Sequence, residues 1–290
     1  MRSNNPIFNR AEGFNKAPSV NAYGNTTYAG NGAGYTGFGT PQAGGATFAP
    51  TAPTRAMTMD SVVRASAITF GTVLITAIMT WVMTPALTRV TDNFGTTIVG
   101  DYQPLFTAMT VGSGLAFVMS LVNSFKRQIS PALVLVFAAA EGVAIGAISK
   151  FIDVQIGHAV VIQAVLGTFA AFAGTMAAYK YFNIQVGNKF RTFTIAAMFG
   201  MVGLGIIDLI LGAFGGSTHL FGFTPLGALT AVAGILIGVF MLILDYDQVE
   251  YGIANGLPES ESWRAAFGLT VSLVWIYTNL LRLLSILNQR

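Results

Sequence analysis

Five ionisable residues lie within or directly after long apolar stretches of the sequence. They are Glu141, Asp208, Asp245, Asp247 and Arg282. An ionised Asp, Lys or Arg at the centre of a membrane helix costs about 2.5–3.5 kcal/mol on insertion scales, so such residues usually face the interior of a helix bundle. The five residues are therefore the candidates for contact with an ion or for proton uptake.

Three of these residues lie inside apolar stretches. Glu141 is close to the middle of its stretch, where it is expected to bind and release a proton or to contact an ion; the alternative is a protonated, hydrogen-bonded structural residue. Asp208 and Arg282 lie at similar depths in two other stretches. They fit a structural ion pair near the outer interface, or two side chains that extend separately to that interface.

Asp245 and Asp247 follow directly after the sixth apolar stretch. Residues two apart point to nearly opposite sides of a helix, whereas Asp247 and Glu250, three apart, share a face. These acids either contact ions or form an acidic cap at the cytosolic end of the helix, and the sequence leaves both interpretations open.

The composition excludes several kinds of site. The chain has no cysteine, which rules out disulfides, a thiol nucleophile, thiolate zinc sites and iron–sulfur clusters. With two histidines and no apolar span that combines Ser with His, we expect no catalytic residue, no metal site, no cofactor and no enzyme activity. A net charge of +3 is too small to indicate nucleic-acid binding.

The same composition indicates an integral membrane protein. Hydrophobic residues make up 53% of the chain and charged residues 9%, whereas a soluble domain carries about 25% charge. Apolar stretches near the roughly 20 residues that cross a bilayer occur seven times: 66–84, 105–125, 132–149, 158–179, 192–214, 224–244 and 265–287. The pairs Gly142/Gly146 and Gly234/Gly238 suit close helix contacts. We therefore predict an all-α protein with seven transmembrane helices.

Residues 1–57 differ from the rest of the chain. They are rich in Gly, Ala, Asn and Thr, with scattered aromatic residues and no hydrophobic periodicity. Such a segment cannot bury enough apolar surface to fold. We predict a disordered cytosolic tail, 1–57, that can be deleted without unfolding a membrane domain of residues 58–290. The tail serves for solubility or, alternatively, for self-association or binding of a partner.

The distribution of basic residues predicts the orientation in the membrane. The tail and the loops after the second and fourth stretches hold most of the basic residues, whereas the intervening loops hold Arg89 and Lys150. By the positive-inside rule the N-terminus is cytosolic. Seven crossings then place the C-terminus outside.

Several segments carry a family resemblance, and most of the chain is covered by it. They are SNNPIFNR near the N-terminus, NSFKRQISPAL at 123–133, EGVAIGAISKF at 141–151, QAVLGTFAAFAG at 163–174, LDYDQVEYG at 244–252 and AAFGLTVSLVWIYTNLLRLLSIL at 265–287. With them the chain resembles the Bax inhibitor-1/YccA (transmembrane Bax inhibitor motif) family, in particular its actinobacterial branch with a long N-terminal tail. The resemblance implies a bacterial plasma-membrane protein with six helices around a central last helix.

The resemblance also implies a pH-sensitive calcium leak that a pair of aspartates on the sixth and seventh helices gates. Asp247 best matches the sixth-helix aspartate, and Asp245 is the second match. Glu141 matches the third-helix glutamate of the family, and Arg282 matches a basic residue late in the seventh helix.

The seventh-helix acid has no counterpart in this sequence. Its place is taken by Asn279, or by Ile276 if the alignment shifts by three residues. Because Asn does not titrate, we expect Asp247 to act as a lone titrating carboxylate, with Asn279 as a neutral hydrogen-bonding partner.

The leading hypothesis is a pH-modulated cation leak channel or transporter, with calcium as the transported ion and the lipid bilayer as its surroundings. Calcium prefers oxygen ligands, which interior carboxylates provide. The alternative is a non-transporting regulator that binds and modulates a membrane-bound AAA protease, to which the exposed tail would be suited. The sequence does not indicate the oligomeric state.

Overall fold

The computed structural model describes residues 19–20, 26–27, 55–92, 95–182, 184, 186–216 and 218–289. The chain divides into two units, Met1–Thr51 and Ala52–Arg290. In the first unit, strands β1 (Ser19–Val20) and β2 (Thr26–Thr27) pair antiparallel. Most of the predicted tail, and with it the prediction of disorder, lies outside the described residues.

Long helices form the second unit. Seven occur in the part of the chain that the structure describes: α1 (Met59–Met83), α2 (Gln103–Phe125), α3 (Pro131–Ile156), α4 (His158–Tyr181), α5 (Asn188–Ala213), α6 (Pro225–Ala254) and α7 (Glu261–Asn288). All seven are long and apolar enough to cross a membrane. The predicted seven-helix membrane fold is therefore confirmed.

Most of the helices extend beyond the predicted spans, and the connection from α1 to α2 contains regular secondary structure. Strands β3 (Thr88–Asp92) and β4 (Gly95–Val99) form an antiparallel hairpin there, which the hydropathy pattern did not indicate. Lys150, expected in a loop, lies inside α3, because that helix continues past Lys150 to Ile156 and is capped by Gly157, where φ is 128°. Hydropathy thus placed several helix ends too early.

Helix α7 is the centre of the bundle and the most deeply buried of the described helices. It packs directly on α1, α3, α4 and α6, whereas α2 packs mainly on α3, and α5 on α6. We call the face at which α1 begins the N-terminal face, and the face at which α7 ends the C-terminal face. Two of the six surrounding helices therefore form an outer layer.

Glycine pairs allow the closest helix contacts, as their spacing predicted. A Cβ at Gly142 or Gly146 would overlap the backbone of α1. Lys150, two turns further along α3 than Gly142, reaches the last turn of α1. Its Nζ donates to the carbonyl oxygens of Trp81 (2.8 Å) and Thr84 (2.6 Å) and to Thr84 Oγ1 (2.9 Å). A lysine from α3 thereby satisfies the C-terminal carbonyl groups of α1.

Residues 55–57, which we call the strap, lie against the loop between α6 and α7. Met57 N donates to Leu257 O, and Glu259 N donates to Arg55 O, both at 2.7 Å. The Met57 side chain is 4% exposed and belongs to a core cluster that also contains Leu242. The end of the predicted tail is therefore attached to the membrane domain.

Candidate functional site

Asp245 points from α6 toward the central helix α7. Ser272 Oγ donates to Asp245 Oδ2 at 2.5 Å. One turn earlier on α7 lies Gly268, where an added Cβ would be 3.0 Å from Asp245 Oδ1, so the absence of a side chain makes room for the carboxylate. No basic side chain pairs with Asp245 among the described residues. Asp245 is thus a half-buried carboxylate with a hydroxyl partner.

Asp247 has different neighbours from Asp245, as the prediction of opposite helix sides requires. Arg191 Nη2 on α5 donates to Asp247 Oδ2 at 2.8 Å, and the Asp247 side chain is 25% exposed. Glu250 accepts a hydrogen bond from Tyr179 Oη of α4 at 2.7 Å. The carboxylates of Asp247 and Glu250 therefore connect α6 to two neighbouring helices near the N-terminal face.

Glu141 lies on the side of α3 that faces α7. Four residues before it, Phe137 packs edge-on against Phe267 of α7, with ring centroids 4.9 Å apart. Further along the same side, Ser149 Oγ and Tyr277 Oη are 2.6 Å apart. Counted from the Phe137–Phe267 contact at about 1.5 Å per residue, Glu141 and Ser272 reach similar depths. Glu141 and Asp245 therefore lie at about the same level, on two helices that pack against α7.

Glu141 differs from Asp245 in its partners. It is half-buried, and its carboxylate makes no hydrogen bond or ion pair with any residue that the structure describes. The hydrogen-bonded structural role considered for Glu141 is therefore not the arrangement observed. An unpaired carboxylate inside a helix bundle is the kind of group that contacts protons or cations.

The expected contact between Asp247 and Asn279 is not formed, and this part of the prediction was wrong. Asn279 lies against Gly234 of α6, and its Nδ2 donates to Trp275 O at 2.8 Å. Asp247 is about 20 Å further along α6 at 1.5 Å per residue. Ile276, the other alignment considered, lies against Gly238. Because α6 and α7 run antiparallel, the residue of α7 that lies opposite the acidic end of α6 comes before Asn279 in the sequence.

The ion pair considered for Asp208 and Arg282 is also not formed. Asp208 Oδ1 accepts hydrogen bonds from Thr218 N (2.9 Å) and Thr218 Oγ1 (2.5 Å). Arg282 Nη2 donates to Thr230 Oγ1 at 3.3 Å, and its guanidinium lies 5.1 Å from the ring centre of Phe221. Both side chains therefore hold the loop between α5 and α6. The buried Nε of Arg282 has no hydrogen-bonding partner among the described residues.

The acidic residues do not form a conventional metal centre. No group of three or more His, Cys, Asp or Glu side chains suited to a metal ion occurs within the described parts of the chain. Calcium takes about six to eight oxygen ligands, and Asp245 with Ser272 offers a carboxylate and a hydroxyl group. That pair alone falls well short of a calcium coordination shell.

Sequence reasoning missed Ser272 and Arg191. Ser272 could have been found by pairing Gly234 and Gly238 with α7 and counting along two antiparallel helices toward Asp245. Arg191 carried no comparable signal, because a basic residue at the start of a span fits a solvated loop equally well. The partners of an acidic residue depend on the helix register, which a single span does not specify.

Comparison with known families identifies the family of the chain. The Bax inhibitor 1 like family model matches residues 5–289, nearly the whole chain. A comparison with curated proteins finds no significant match. From this match, together with its seven long apolar helices, we conclude that the chain belongs to the Bax inhibitor 1 like family.

Proposed function

We propose that this protein is a pH-modulated cation leak and that calcium is the ion it passes. The observation that carries the proposal is Asp245, a carboxylate that faces the central helix and has Ser272 rather than a basic residue as its partner. An unpaired carboxylate inside a bundle attracts cations, and its charge changes when it binds a proton.

Glu141 supports the same proposal, because it is a second carboxylate at about the depth of Asp245. Carboxylate oxygens are the ligands that calcium prefers. Together the two side chains offer negative charge to a cation on both sides of α7. Asp247 is a weaker candidate for the pH sensor, since Arg191 already balances its charge.

Calcium flux in liposomes would test the proposal. Purified protein is reconstituted in liposomes that contain a calcium indicator, and flux is measured at two pH values against protein-free liposomes. We expect protein-dependent flux whose rate changes with pH. Flux that equals that of empty liposomes at both pH values would overturn the proposal.

We further propose that the protein resides in a bacterial plasma membrane with its N-terminus in the cytosol. The excess of basic residues in the tail and in alternate loops supports this orientation. Reporter domains fused to either end would test it, with the N-terminal reporter expected in the cytosol and the C-terminal reporter outside. Two reporters on the same side would contradict seven crossings.

The alternative proposal is a non-transporting regulator of a membrane-bound AAA protease. The strap favours it modestly, because a partner that binds the tail would be held next to the α6–α7 loop. Absence of flux, together with co-purification of such a protease that depends on residues 1–54, would favour this alternative over the leak.

A further inference from the structure

An apolar groove lies between α1 and α4, with α3 and α7 at its base. It has a volume of about 420 Å³, within the range of about 300–1,000 Å³ for ligand pockets. Aromatic pairs connect α1 and α4 at its two ends: Phe70 with Phe172 at 6.2 Å, and Trp81 with His158 at 6.4 Å between ring centroids. We call this space the α1–α4 groove.

The groove opens sideways, toward the region that lipid occupies around a membrane protein. Leu74 and Ile78 of α1 and Phe169 of α4 line it, and all three side chains are exposed. The groove is therefore not an enclosed core cavity. Its occupant can enter laterally from the bilayer between α1 and α4.

The hydroxyl groups that line the groove are already hydrogen-bonded. Ser149 Oγ lies 2.6 Å from Tyr277 Oη, and the hydroxyls of Thr168 and Thr270 each donate to a carbonyl oxygen of their own helix. The remaining lining is almost entirely aliphatic or aromatic. An apolar cavity of this kind excludes water, and it offers few polar partners to a polar ligand.

The length of the groove matches one leaflet of a bilayer. From Phe70 to Trp81 the rise along α1 is about 16 Å at 1.5 Å per residue, close to half of a hydrocarbon core about 30 Å thick. Trp81 lies near the end of α1, the usual depth of an interfacial tryptophan. The exposed His158 imidazole, which pairs with Asp153, lies at the same end. The groove thus has a polar mouth and an apolar interior.

We propose that the α1–α4 groove binds one acyl chain of a phospholipid from the leaflet at the C-terminal face. The chain lies along Leu74 and Ile78 and contacts Leu273 and Val274 of α7, while the headgroup stays at the mouth near Trp81 and His158. The lateral opening, the one-leaflet length and the apolar lining together favour an acyl chain over a soluble ligand. This site is separate from Asp245 and does not depend on the proposed leak.

Photolabelling would test the site. The full-length protein is reconstituted in liposomes that contain a phosphatidylcholine with a diazirine in its acyl chain, irradiated, and mapped by mass spectrometry. We expect groove residues to carry more label than the lipid-exposed surface of α5. Val165→Trp, which fills the groove, should abolish the excess, whereas Leu166→Trp, at the exposed neighbouring position, should leave it unchanged.

Three results would overturn the proposal. They are labelling in proportion to exposure alone, a groove that remains unlabelled because a second protein copy covers it, and an unchanged excess in a folded Val165→Trp variant. If Val165→Trp does not fold, Ile78→Trp replaces it, with Ile75→Trp as the control at a similarly exposed position of the same helix that does not line the groove. The excess must then disappear in Ile78→Trp and persist in Ile75→Trp.

Discussion

The two ends of the contact between α6 and α7 carry opposite charges that do not meet. At the end near the N-terminal face, which we call the acid end, Asp245 accepts a hydrogen bond from Ser272. At the other end, which we call the base end, Arg282 donates a hydrogen bond to Thr230. Ser272 and Arg282 are about 15 Å apart along α7. Neither charge is neutralised by an opposite charge within the described residues, so these residues do not serve as a structural ion pair.

The middle of the same contact is closely packed. Gly234 and Gly238 of α6 leave room for Asn279 and Ile276 of α7, and Trp275 Nε1 donates to Gly234 O at 2.9 Å. A non-helical segment covers each end: the strap at the acid end, and residues 218–221 at the base end. The difference between the middle and the ends teaches that shape complementarity holds the helices together in the middle, whereas the charged groups at the ends are held by hydroxyl partners.

The largest expected effect comes from disturbing the middle. Gly234→Leu should destabilise the protein by about 3 kcal/mol or more, or prevent folding, because the new side chain needs the space of Asn279. Thermal unfolding in detergent would measure the effect. Gly200→Leu on α5, where no atom lies within 4 Å of an added Cβ, is the matched control. Equal melting temperatures for the two variants would contradict tight packing in the middle.

The strap gives the next largest effect, at the acid end. Deletion of residues 1–57 should lower the free energy of unfolding by about 1.5–3 kcal/mol relative to deletion of residues 1–54, because burial of a Met side chain contributes that amount. Chemical unfolding of both truncations in detergent would measure the difference. This comparison also tests whether all of 1–57 is dispensable, as the sequence predicts. Equal stability would mean that the strap contributes nothing.

Asp245→Asn should change function more than stability. Asn still accepts a hydrogen bond from Ser272, so the protein should stay folded, but the side chain no longer titrates. We expect calcium flux in liposomes to lose most of its pH dependence, while Asp247→Asn keeps it, because Asp247 is paired with Arg191. If only Asp247→Asn loses the pH dependence, the sensor is Asp247, as the family resemblance implies.

Ser272→Asp would sharpen the same comparison. It places a second carboxylate opposite Asp245, and two carboxylates in contact titrate in two macroscopic steps. A flux-against-pH curve should therefore change from one step to two. Asn279→Asp should not produce the second step, since Asn279 lies about 10 Å from Ser272 along α7 and contacts Arg282. If only Asn279→Asp shows a second step, the titrating pair involves position 279 and not Asp245 with position 272.

The smallest effect is expected at the base end. Thr218→Val removes one hydrogen bond to Asp208 and should cost about 1 kcal/mol locally. Amide hydrogen exchange of residues 218–220 should become faster, while that of α6 stays unchanged. Thr107→Val, which removes an exposed hydroxyl bonded within its own helix, is the control. Unchanged exchange in Thr218→Val would mean that Asp208 does not hold the loop.

Parts of this structure that depend on local sequence were predictable, and parts that depend on helix register were not. The spans followed from apolar length, and the glycine pairs indicated close contacts such as those of Gly142 and Gly234. Lys150 was misplaced, because a hydropathy pattern does not distinguish a loop lysine from a lysine whose ammonium group caps another helix. Ser272 was missed because its partner depends on how far α6 slides along α7, and no single segment contains that information.

The Lys150 contact bears on how the protein is assembled during synthesis. The carbonyl groups of Trp81 and Thr84, at the end of α1, accept hydrogen bonds from the Lys150 ammonium group, and Trp81 O also accepts one from Thr84 Oγ1 at 3.4 Å. Both groups are satisfied when the first and third helices are side by side. The end of α1 is therefore complete only once α3 has been made and packed beside it, which couples the assembly of the first helix to the synthesis of the third.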